Sequence, residues 1–161
     1  MRLVTAMAAL AACCAPVFAA LPVVPAKDQA ALLKSNDPKL AANKKVAYDF
    51  YRIVLQGRRL DQAEKYMRED YIQHNPNADT GMKGFKAYFE RLGGPQSIPD
   101  GVTGLVAIQA EGDYVTLSLV REYTDATGQK YTSTWFDMFR IQDGKIAEHW
   151  DPATKPAAPS R

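Results

Sequence analysis

From about Pro38 to Gln56 the apolar side chains recur with a helical period. Val46, Phe50 and Ile53 fall at i, i+4 and i+7, with Ala47, Tyr51 and Val54 beside them. Ser35-Asn36-Asp37 supplies capping side chains ahead of Pro38, a residue suited to the first helical turn, and Gly57 closes the segment. A short helix over about 28–34 precedes it. Another, about Leu60 to Met67, turns Leu60, Ala63 and Tyr66 or Met67 inward. Tyr71 to His74 reads as a strand that Asn75-Pro76-Asn77 terminates. Gly81 and Gly84 bracket a predicted turn, and Phe85 to Leu92 reads as a helix ended by Gly93-Gly94-Pro95.

Beyond Pro95 the period changes to two. Residues 102–111, 114–123, 130–141 and 145–150 form runs of β-branched and aromatic residues. The separators are Glu-Gly-Asp, Asp-Ala-Thr-Gly-Gln and Gln-Asp-Gly-Lys, and Asp143-Gly144 is the clearest hairpin turn. Helices come first and strands second, so the pattern predicts an α+β fold: a curled antiparallel sheet with helices packed across its mouth.

The ends read differently. After Met1-Arg2 the chain carries no charge from Leu3 to Ala20, while Cys13, Cys14 and Pro16 interrupt the run. A bilayer span needs roughly 20 predominantly apolar residues, so a secretory signal fits better. Val17-Phe18-Ala19 offers cleavage after Ala19; Leu10-Ala11-Ala12-Cys13 resembles a lipobox that would put a lipid anchor on Cys13. The expected protein is therefore exported, periplasmic or secreted. Its organisation is 1–19 signal peptide, 20–37 leader and short helix, 38–151 folded domain and 152–161 flexible tail. The 161 residues suit one domain, and 47% hydrophobic with 24% charged residues can build a core without disulfides. A net charge of +2, with acidic and basic residues interspersed, gives no basic stripe for nucleic acid.

Candidate chemistry is confined to a few places. The two histidines, His74 and His149, sit in the polar-aromatic clusters Tyr71-Ile72-Gln73-His74-Asn75-Pro76 and His149-Trp150-Asp151. Between them comes Trp135-Phe136-Asp137-Met138-Phe139-Arg140. Asp is disfavoured in mid-strand, so Asp137, if inside, must be hydrogen-bonded, paired or protonated. A carboxyl group in an apolar cavity can act as general acid or base. The alternatives are structural: Asp137 could pair with Arg121 or Arg140, His74 could cap a strand end, and His149 could be scaffold. Strict alternation puts Arg140 on the face opposite Asp137. Glu148, Glu122 and Glu90 read as solvated. Two histidines without HExxH-type spacing speak against zinc, and no Gly-x-Ser-x-Gly, Walker A or dinucleotide motif is present.

The order of elements, with Tyr-Ile-Gln-His-Asn-Pro, Gly-Met-Lys-Gly-Phe and Phe-Asp-Met-Phe-Arg-Ile-Gln-Asp-Gly-Lys-Ile-Ala-Glu-His-Trp-Asp, resembles the SnoaL-like polyketide cyclase branch of the nuclear transport factor 2-like superfamily over about residues 40–151. The resemblance implies a cone-shaped α+β barrel around a pocket, and a homodimer formed through the sheet. In the cyclases an Asp on the penultimate strand serves as acid/base in an aldol condensation without cofactor or metal, and Asp137 matches it. His74, His149 and Trp150 fall in blocks that line the pocket mouth in relatives. The expected site is catalytic Asp137, His74 and His149, with Tyr71, Asn75, Trp135 and Trp150 binding a small, mostly apolar carbonyl compound. The exported start departs from the cytoplasmic cyclases and bears on the substrate more than on the fold. A non-catalytic binding or interaction module of the same fold is the competing expectation.

Overall fold

The computed structural model describes residues 20–156; the expected signal segment with Cys13 and the last part of the expected tail lie outside the described residues. The helical half contains α1 (Gln29–Leu32), α2 (Pro38–Asp49), α3 (Ala63–Tyr66) and α4 (Gly81–Glu90). Asp37 caps α2, its carboxylate accepting from the amides of Lys39 at 2.8 Å and Leu40 at 3.4 Å, and Pro38 occupies the first turn. The helix runs on to Gln56 as anticipated, but Phe50–Gln56 is wound more widely, in π-helical turns. The Gly57 amide donates to the carbonyl of Arg52, five residues back, at 3.0 Å. The widened turns carry Phe50, Tyr51, Leu55 and Gln56, all of which face the cavity described below.

The sheet half contains β1 (Met67–Gln73), β2 (Leu105–Glu111), β3 (Tyr114–Thr124), β4 (Lys130–Gln142) and β5 (Lys145–Trp150), in the order β1-β5-β4-β3-β2. The last four form the expected meander. The turn from β4 to β5 places Asp143 at φ 53° and Gly144 at φ 71°, the left-handed pair a tight hairpin needs. β1 lies parallel to β5, so the sheet is mixed rather than antiparallel throughout. Strand period reveals faces, not partners, and the long excursion through α4 frees β1 to return alongside the last strand. With β1 and β2 as edges the sheet is open, not closed into a barrel.

A further expectation is corrected, and the leader is fixed to the sheet. Gly81 to Gly84 is the first turn of α4, not a separate turn: Gly81 enters at φ 85°, and a Cβ on Gly84 would stand 2.5 Å from the Asp79 carbonyl. The leader is also tied down, by Val23 amide to Thr132 Oγ1 at 2.8 Å and Ala26 amide to the Leu105 carbonyl at 2.7 Å.

Alternation gives the sheet two faces. Leu117, Asp137, Phe139, Ile141 and His149 turn inward beneath α2 and α4; Tyr114, Phe136, Met138, Arg140, Glu148 and Trp150 turn outward. The core centres on Phe50, 1% exposed, with its ring 5.7 Å from Phe139 and 5.8 Å from Phe85. Truncating such a ring to Ala costs about 3–5 kcal/mol. This cluster fixes the helices at a set height above β4 and β5. A hollow remains between them.

Candidate functional site

The hollow is a cavity of about 370 Å³ between the widened end of α2, α4 and the inner face of β4 and β5. Its walls are aromatic and aliphatic, with Phe50, Phe85, Phe89 and Leu92 prominent, whereas its floor is polar. Asp137 and His149, 5% and 7% exposed, meet there with Nε2 2.9 Å from Oδ1. His149 also stacks on Phe139, ring centres 4.9 Å apart.

Hydrogen bonding determines where the protons sit. The Asn75 amide donates to Gln73 Oε1 at 2.9 Å, and Gln73 Nε2 donates to the Tyr71 hydroxyl at 2.9 Å. A backbone amide can only donate, so Oε1 is an acceptor; His149 Nδ1, 2.9 Å from it, must then carry a proton. The contact between Nε2 and Asp137 is left with one proton to share. The pair is either imidazolium with carboxylate or imidazole with carboxylic acid.

The surroundings keep this arrangement polar but tight. Asp151 Oδ2 accepts from Asn75 Nδ2 at 2.7 Å, and Oδ1 accepts from the Ala153 amide at 2.9 Å. Burial, then the charge and hydrogen bonding of Asp137, push the Tyr51 phenol far above its ordinary range. Burial also raises Tyr71, with Asp151 and Asp137 adding to the rise. Both phenols therefore stay protonated near neutral pH and can only be neutral donors or acceptors. Asp137, His149 and Asp151 offer three donor atoms within 4.8 Å of one another, a group that could hold a cation. In the arrangement present each atom has a hydrogen-bond role already, and a cation would have to displace the shared proton.

Of the residues expected at the site, Asp137, His149, Tyr71, Asn75 and Trp135 line this one cavity. His74 and Trp150 do not. Inward His149 puts its neighbours Glu148 and Trp150 outside, and inward Gln73 does the same to His74. His74 Nε2 lies 2.8 Å from Glu148 Oε1, and its ring stacks on Trp150 at 4.9 Å and 6°. Glu148, expected to be solvated, is instead held by His74 and by Arg140 Nε at 2.8 Å, which keep its carboxyl below the usual range. Arg140 thus has its own partner, and Arg121 sits over the Trp135 ring at 3.8 Å; neither pairs with Asp137. Gln73, Tyr51 and Asp151 were missed as members of the site. Gln73 and Asp151 carry a signal: Gln73 lies two residues from Tyr71 on one face of β1, and Asp151 two residues from His149, just past the end of β5. Tyr51 carried none beyond its place in an apolar stripe.

An α+β domain with an open curved sheet, helices over one face and a pocket between them has the nuclear transport factor 2-like fold. Residues 47–149 match the SnoaL-like domain model, and the chain belongs to that family. The fold recurs in solved structures. One is a nuclear transport factor 2-like protein of unknown function from Burkholderia pseudomallei, 13% identical, with a TM-score of 0.52 over 70% of this chain and 91% of that one. Another is a candidate SnoaL-like polyketide cyclase from Jannaschia sp. CCS1, 15% identical, TM-score 0.51, covering 74% and 91%. TerC, co-crystallised with polyporic acid, is 17% identical, TM-score 0.51, covering 70% and 92%. At such identities the likeness establishes the fold alone. No curated protein matches the chain.

Proposed function

We propose that the pocket binds a small, mostly apolar carbonyl compound and that Asp137 and His149 move a proton at the carbon next to its carbonyl group. The observation that carries this reading is the buried carboxylate–imidazole pair with one shared proton at the floor of an aromatic cavity. In the imidazolium form, Asp137 accepts the substrate proton while the adjacent positive charge offsets the enolate forming beside it. The Tyr51 hydroxyl, which stays protonated and hydrogen-bonds Asp137, would turn to the developing oxygen once Asp137 takes up the substrate proton. Returning the proton at another carbon gives isomerisation; attack of the enolate on a second carbonyl gives an aldol cyclisation. The chemistry needs no redox partner. A structural neighbour of the same fold, TerC, has been co-crystallised with polyporic acid.

The test is hydrogen–deuterium exchange at the α-carbon of aromatic ketones, followed by NMR in D2O. Exchange should fall by about 10²–10⁴-fold in Asp137→Asn, the size of a lost acid/base group. A ketone that binds the wild type but exchanges no faster than with Asp137→Asn would leave a binding module in place of an enzyme. We also infer export with cleavage after Ala19, for which cell fractionation and an N-terminal sequence beginning at Ala20 are the measurements. Pairing of two copies across the outer sheet face, where Phe136 is 50% and Tyr114 45% exposed, would appear as a dimeric mass by light scattering.

A further inference from the structure

The polar groups on the cavity floor are matched to one another, but one charge at the mouth is not. Among the described residues that line the cavity, Arg121 is the only lysine or arginine. Its guanidinium lies 3.8 Å above the Trp135 ring, close enough to be stacked on it. Among the described residues no carboxylate comes within salt-bridge distance of Arg121, and none of its N–H groups has a hydrogen-bond acceptor. Several other cations on the sheet and helices are paired: Arg140 with Glu148, Arg68 with Asp70, Lys86 with Glu64. A guanidinium held over an indole without polar partners leaves its N–H fork available, and such a fork takes a carboxylate through two parallel hydrogen bonds.

Trp135 and Asp137 lie on one face of β4, two residues apart, so the indole that carries the guanidinium is set roughly 7 Å along the strand from Asp137. The cavity floor beneath Asp137 and Asp151 would repel an anion; the mouth would hold it. We propose that Arg121 is the anchor for an anionic group and that the natural ligand is an oxo acid. Its carboxylate would sit on Arg121 and its carbonyl end would reach down to Asp137 and His149. This inference deepens the acid/base reading and takes its orientation from it. The Arg121 anchor itself needs only binding.

The probe pair is 4-acetylbenzoate and 4-acetylbenzamide, which differ in charge while keeping the acetyl group across one ring. Binding is read from tryptophan fluorescence and by calorimetry. The wild type should prefer the carboxylate by about 10-fold or more, as expected for a charge-assisted hydrogen bond. Arg121→Gln should erase that preference by lowering carboxylate affinity far more than amide affinity, and Arg121→Lys should keep only part of it. Asp137→Asn should retain the preference and lose exchange at the acetyl methyl group. A wild type with no preference for the carboxylate, including one that binds neither probe, overturns the inference, as does an Arg121→Gln protein that binds the carboxylate like wild type. Preference without exchange in the wild type would sink the acid/base reading and leave the Arg121 anchor standing.

Discussion

The chain has two histidines, and each is paired with a carboxylate, yet the two pairs face opposite sides of one sheet. His149 and Asp137 are 2.9 Å apart with side chains 9% and 7% exposed; His74 and Glu148 are 2.8 Å apart with side chains 43% and 17% exposed. Distance alone does not separate them. Environment does. Outside, Glu148 has a second, permanently charged partner in Arg140, and water screens all three groups. Inside, Asp137 has no arginine beside it, His149 is held by Gln73, and the space above the pair is a cavity. A settled ion pair has nothing left to exchange. A pair sharing one proton next to an empty space does.

The largest effects should come from breaking the inner pair. Asp137→Asn is close to isosteric, and Asn Nδ2 can donate to a neutral Nε2 while Nδ1–H keeps Gln73. Its melting temperature should stay within a few degrees of wild type although α-carbon exchange disappears. Asp137→Ala, by contrast, leaves His149 unsatisfied in a buried site and should cost roughly 1–3 kcal/mol in a denaturant titration. A severe loss of stability in Asp137→Asn, on the scale of the roughly 3–5 kcal/mol for a broken buried ion pair, would make Asp137 and His149 scaffold like their counterparts outside.

Gln73 offers the sharper cut, because it touches the inner pair only through His149. Gln73→Leu strips the acceptor from both His149 Nδ1 and the Asn75 amide. Stability should drop by about 1–3 kcal/mol, and exchange should fall beyond what the stability loss explains. Gln73→Glu restores an acceptor for both donors and should recover exchange. Nitrogen chemical shifts of the His149 ring provide the readout that a purely structural role would not move: Nδ1 should remain protonated in wild type and Gln73→Glu, and mix tautomers in Gln73→Leu.

Much of this contrast was legible in the chain before any coordinates. Alternation along residues 135–140 puts Asp137 on one face and Arg140 on the other, and that separation holds. The same rule applied to Gln73-His74 and to Glu148-His149-Trp150 would have sent His74 and Trp150 outward. Their clustering with polar and aromatic neighbours pulled them toward the site instead. Period-two patterning could not say that β1 runs parallel to β5, yet this pairing is what sets Gln73 opposite His149. Tyr51 was hidden for another reason: a tyrosine in an apolar helical stripe looks like core until the widened turns of Phe50–Gln56 carry it toward Asp137.

The smallest effect should come from the outer pair, and its value lies in its sign. His74 first, then Arg140, hold the Glu148 carboxyl below its ordinary range, so the folded state favours the ionised form. Such a group stabilises the fold fully above the unfolded value, about 4.3 for Glu, and loses that contribution as pH falls through its lowered folded value. Because His74 is 43% exposed, the gain is screened and should be no more than about 1 kcal/mol. Melting curves of wild type and Glu148→Gln should therefore differ by a few degrees near neutral pH and converge in acid. Exchange at the ligand's α-carbon should be the same in both proteins at every pH where both are folded. If Glu148→Gln instead altered exchange as strongly as Gln73→Leu, the sheet would not insulate its two faces, and the outer histidine would have to be counted with the inner one.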